Sequence, residues 1–174
     1  MAEFIPSEEW KAKHEVGYEL FFLHVYRLLC SVLSSKQIAS LEDGSSQRSL
    51  STFVLAQEQA EISRLLISVA SFFRIKSDDG SWMHGFWLHK SFIGVGELVE
   101  DVANPVAVSQ LDLREACNKI MHASTIHFDV ETNQRTNAKY LTPLMYLYGK
   151  RGKVNWKATL NVVEFCRAAS NVIV

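Results

Sequence analysis

Arg114, Asn118 and His122 recur at i, i+4 and i+8 in the stretch Leu-Asp-Leu-Arg-Glu-Ala-Cys-Asn-Lys-Ile-Met-His-Ala, residues 111–123. At about 100° per residue each step of four advances about 40°, so on a helix the three span roughly 80°. A cation, an amide and an imidazole in one row suit work on a phosphodiester. Imidazole titrates near neutral pH and can move a proton. Guanidinium stays charged and forks onto phosphate oxygens, and the amide orients either partner. Lys119 is a second candidate for the phosphate. Further on, Lys150, Arg151 and Lys153 cluster at a turn, with Lys157 and the rings of Tyr146, Tyr148 and Trp156 nearby. Cations interleaved with rings suit an RNA or DNA backbone. The same lysines also serve a solvated turn that discourages edge aggregation.

Other chemistries find little support. His84 and His89 are five apart with no carboxylate between them, a poor match to metal-ligand spacing, so no metal is expected. Asp78-Asp79-Gly80 lacks the later acidic ligands of a calcium loop. No glycine loop cradles a phosphate, no serine or cysteine has a credible base beside it, and no cofactor is expected. Cys30, Cys117 and Cys166 are an odd number without a CxxC pair, and read as reduced core thiols suited to the cytosol. His14 and His24 read as partly buried structural histidines. Glu3, Glu8 and Glu9 are the reverse of a positive leader. The apolar run from Leu20 to Leu33 is broken by His24, Arg27 and Ser31, too polar for a membrane span, so a cytoplasmic protein with no membrane partner is expected. The net charge of −1 leaves any basic surface local.

The elements that must position these groups follow from periodicity. With 174 residues, 48% of them apolar and 21% charged, the chain reads as one domain over 1–174. Pro6-Ser7-Glu8-Glu9 opens a long helix over about 7–35, its apolar band wide enough for the centre of a bundle or a subunit contact. Glu42 to Ser46 is a loop, and a second long helix spans about 50–76, where Glu61 and Arg64 are placed to pair. A weaker helical pattern over 91–102, loosened by Gly94 and Gly96, stops at Asn104-Pro105. The motif helix follows, with Ser109 and Asp112 as its capping box and Leu113, Ala116, Cys117, Ile120 and Met121 as its buried face. Alternation over 126–131 predicts a strand, 132–139 a polar loop, and 140–148 a second strand set at an edge by Pro143. A turn at 149–152 and a short strand at 153–156 complete a sheet of two or three strands, before a closing helix over about 157–172. The expected fold is mainly α, a four-helix-type bundle with a small antiparallel β insertion at about 125–156.

This helix order, with Asn118 and His122 late in the third strong helix, resembles the HEPN superfamily. The family signature is an arginine, a polar residue directly after it, and a histidine four to six residues beyond the arginine. Asn118 and His122 match the last two; Cys117 stands at the arginine position and Arg114 lies one turn earlier. The resemblance implies a helical, commonly dimeric domain, of a kind that includes metal-independent ribonucleases of antiphage defence and toxin–antitoxin systems. It implies catalytic roles for His122, Asn118 and Arg114, completed across a homodimer axis. Residues 63–67 and 113–123 also look like bacterial proteins of unassigned function. Two expectations result. One is an RNA-acting homodimer, in its sharpest form a metal-independent endoribonuclease, with Lys119, Lys150, Arg151 and Lys153 holding nucleic acid. The other is a catalytically inactive module that dimerises or holds a protein or nucleic-acid partner. There Arg114 pairs with a neighbouring carboxylate and His122 caps its helix.

Overall fold

The computed structural model describes residues 18–42, 50–78 and 94–173. Its elements run α1 (Tyr18–Ser40), α2 (Leu50–Asp78), β1 (Gly94–Val99), β2 (Val108–Asp112), α3 (Leu113–His122), β3 (Thr125–Thr132), β4 (Lys139–Arg151), β5 (Val154–Asn161) and α4 (Val162–Ile173). The five strands form one antiparallel sheet in the order β2-β1-β5-β4-β3. The expected mainly α bundle with a small insertion is therefore incorrect: a full five-stranded sheet forms one side of the core.

Three local misreadings account for the difference. Residues 94–99 form a strand where a loose helix was expected. Gly94 and Gly96 disfavour helix, and a β-bulge between them hides the two-residue period. Residues 108–112 pair with that strand and carry too short a pattern to announce themselves. Residues 157–161 extend β5 instead of opening the last helix: Ala158 and Leu160 are buried, while Lys157 and Thr159 take the other face. The last helix starts only at Val162, where the Asn161 side chain accepts from the backbone N–H groups of Val163 and Glu164. β4 is not an edge strand either. Pro143 is tolerated because β5 pairing stops at Leu144 and the β3 register shifts between Phe128 and Val130.

The long helices were better legible. α1 continues to Ser40, five residues past the expected end, and the expected segment 7–17 lies outside the described residues. The reason is a tertiary cap: Arg135 donates to the Ser40 carbonyl and Thr136 to that of Ala39, at 2.8 Å for the latter. The 132–139 loop is itself set by Asn133, whose side chain accepts from the backbone of Arg135 and Thr136. Phe21, Leu28, Leu65, Leu66, Val69 and Phe73 pack with Leu98, Met145, Leu147, Ala158, Leu160 and Phe165 in one core cluster. All the described helices thus cover one face of the sheet. Of the thiols, Cys117 and Cys166 are core residues as expected, but Cys30 is exposed.

Candidate functional site

α3 runs across the helix-covered side of the sheet between its two edge strands, β2 and β3. Asp112 is its N-cap, with the Asp112 carboxylate accepting from the Glu115 N–H at 2.8 Å. Ser109 takes no part in that cap; it lies in β2 and its hydroxyl donates to the Leu98 carbonyl. Leu113, Ala116, Cys117 and Ile120 are buried as expected, whereas Met121 is exposed and Lys119 buried in its stead. The helix is rotated so that Glu115, Asn118, Lys119 and His122 line a groove, which also takes Arg74 from α2, Lys150 and Arg151 from β4, and Trp156 from β5. Its volume is about 460 Å³.

The floor of the groove is built around a missing side chain. Gly149 pairs with Trp156 across β4 and β5, and a Cβ on Gly149 would lie 2.2 Å from the indole and 2.9 Å from the His122 carbonyl oxygen. Glycine at this place lets the indole lie flat on β4 beneath the end of α3. The Lys119 ammonium sits 4.5 Å above the indole ring and 3.1 Å from a Glu115 carboxylate oxygen. The other Glu115 oxygen accepts from the Asn118 amide at 3.2 Å, and the Arg74 guanidinium lies 3.5 Å from the Asn118 carbonyl oxygen. Glu115 thus compensates Lys119 and fixes Asn118, while Lys150 and Arg151 add positive charge beside the exposed His122 and Arg74 completes the lining. Arginine and lysine in this number favour an anion with several oxygens.

No family model, curated protein or solved structure matches the chain.

Five of the expected residues meet here: Asn118, Lys119, His122, Lys150 and Arg151. Two do not. Arg114 is exposed outside the groove lining, because the groove follows the 115–118–119–122 row, one position round the helix. Lys153 lies in the exposed two-residue loop Gly152-Lys153, where the Gly152 φ of 63° suits a tight hairpin turn, and it too is outside the lining. Arg74 and Glu115 were missed. Arg74 follows the buried Phe72-Phe73 pair, and only the packing of α2 on α3, marked by the Ser71 hydroxyl 3.4 Å from the Met121 sulfur, brings it to the site.

The remaining candidates are structural or lie elsewhere. His24 is half-buried on α1 and its pKa is lowered, first by burial and then by Arg64 and Arg27. Glu61 does pair with Arg64, through two hydrogen bonds of 2.8 Å, and also with Arg27. Burial, aided by Asp112, pushes the Cys117 thiol far up, so it is an inert core group and not a nucleophile. His14, His84, His89 and Asp79-Gly80 lie outside the described residues; among the described ones no cluster of three metal-ligating side chains occurs. No described helix is long and apolar enough to cross a membrane.

Proposed function

We propose that this protein acts on RNA, gripping the phosphodiester backbone in the α3–β4 groove and cleaving it without a metal. The observation that carries the reading is the convergence of Arg74, Lys150 and Arg151, from two separate elements, on the exposed imidazole of His122 above an indole floor. The reading rests on this groove and not on the helical-bundle resemblance, whose architecture the chain does not form. In the proposed step the His122 imidazole takes the 2′-hydroxyl proton while the 2′ oxygen attacks phosphorus. The bond to the 5′ oxygen breaks, and that oxygen takes a proton from solvent. The guanidinium and ammonium groups stabilise the charge on the phosphoryl oxygens, and Asn118, held by Glu115, orients the strand. One chain supplies all these groups. A homodimer is a separate part of the reading, favoured by the exposed Leu23, Tyr26 and Leu33 on α1, which a second copy would cover.

The test uses end-labelled RNA and DNA of one sequence with EDTA present. Wild-type protein is expected to cut only the RNA, leaving a 2′,3′-cyclic phosphate. His122→Ala is expected to slow cleavage by about a hundredfold or more. Undiminished cleavage by that variant removes the catalytic role. Retained binding without cleavage by either protein favours the inactive binding module.

A further inference from the structure

We propose that the sheet face opposite the helices is a stacking platform for the unpaired bases of the strand whose phosphates enter the groove; this rests on the RNA reading above. Register places Thr125, Tyr148 and Lys157 in one cross-strand row and His127, Tyr146 and Thr159 in the next. Opposed residues in an antiparallel sheet share a face. In β4 the alternate residues Met145, Leu147 and Gly149 are turned to the core, so Tyr146, Tyr148 and Lys150 form a row on the other side. All of these row residues are exposed or half-buried.

Three features define the occupant. First, the row is continuous with the groove, because Lys150 ends the tyrosine row and also lines the groove. Second, the rings are already arranged as a surface: the His127 ring meets that of Tyr148 edge to face with centroids 5.6 Å apart, and the Lys157 ammonium lies 4.9 Å over the Tyr146 ring. A base stacking on Tyr146 would displace that ammonium onto the neighbouring phosphate, exchanging a weak exposed contact for an ionic one. Third, charge runs in one direction. Lys150 stands at the hairpin end and the Lys157 ammonium over Tyr146, whereas Asp129 stands beyond the Tyr146 hydroxyl, accepting from the hydroxyls of Thr142 and Tyr146 at 2.7 and 3.3 Å. A phosphate backbone is attracted at the first end and repelled at the second. The platform is therefore short, holding bases over Tyr148 and Tyr146 only. The two tyrosines are two residues apart on a strand, about 7 Å, twice the spacing of bases in a stacked helix, which fits a strand already unstacked. A duplex, whose base faces are occupied by neighbours, is excluded from such a surface.

The experiment compares binding of a short oligouridylate, an abasic ribose-phosphate strand of equal length, and inorganic polyphosphate to the full chain. Wild type is expected to prefer the oligouridylate to the abasic strand by about tenfold. Tyr148→Ala should abolish that preference while leaving the abasic strand and polyphosphate bound as before, and Tyr148→Phe should keep it. Arg151→Ala should weaken all three ligands alike. Equal binding of the oligouridylate and the abasic strand by wild type, or a preference that survives Tyr148→Ala, overturns the platform and leaves the groove standing. Failure of wild type to bind any of the three overturns both.

Discussion

Single residues set the chemistry of the groove, and some of them are visible from spacing alone. Asn118, Lys119 and His122 share a helix face, and Lys150 and Arg151 cluster at a hairpin; local sequence reveals both facts. Arg74 is different, because nothing in its own neighbourhood tells where the face of α2 will land. The same holds for Glu58, which is only 8% exposed although nothing in its own neighbourhood announces it. Its carboxylate accepts from the Ser35 hydroxyl at 2.7 Å, and that hydroxyl accepts from the Leu141 N–H at 2.9 Å, joining α2, α1 and β4. Burial raises the Glu58 pKa, and the Ser35 hydrogen bond opposes the rise only in part. The folded chain thus binds this proton more tightly than the unfolded one. Its contribution is complete below the unfolded carboxyl pKa and is lost as pH rises through the folded value. Glu58→Gln should remove that decline, seen as a flatter plot of urea midpoint against pH from acid to neutral. Ser35→Ala should cost about 1–3 kcal/mol by stranding a buried N–H, and more as pH rises and Glu58 ionises, because the hydroxyl also supports the charged carboxylate.

At the scale of elements, helices announced themselves and half the sheet did not. A long helix repeats its apolar pattern over many turns, whereas β2 has five residues and β1 has six, one of them bulged. β5 carries a clean alternation, but it runs directly into the apolar face of α4, and the boundary vanishes between two patterns. The position of Trp156 depends on a third kind of information, the absence of a side chain at Gly149 on the facing strand. Gly149→Ala would drive a methyl into the indole and against the end of α3. We expect it to destabilise the protein by about 1–3 kcal/mol, measured by chemical denaturation. Because the floor moves, groove affinity should fall with it. An unchanged midpoint would mean that the indole swings aside at no cost.

For the whole molecule, a net charge of −1 gave no reason to expect an anion-binding surface. Positive charge is local, with acidic residues such as Glu97, Asp129 and Glu131 borne on the sheet away from the groove and Lys150 and Arg151 placed within it. If those two cations displace counterions from a single strand, the logarithm of affinity should fall with the logarithm of salt concentration at a slope of about −1.4. Titration at several potassium chloride concentrations measures it. Removing Arg151 should make the slope shallower by roughly 0.7, while the platform variant Tyr148→Ala should leave it unchanged. A flat salt dependence would assign any binding to something other than the phosphate backbone.

The strand order has a consequence for how the chain is made. The central strand, β5, is the last to leave the ribosome, yet it alone joins the β1–β2 hairpin to β4 and β3. Until about residue 161 emerges, no strand lies between the β1–β2 hairpin and the β3–β4 pair, and only the helices can bridge their apolar faces. Closing that gap brings residue 96 against residue 160, a distant contact whose loop entropy must be met before any packing rewards it. A synthesis pause before β5 would therefore hold the chain in its most adhesive form, and completing that strand is the event that makes it safe.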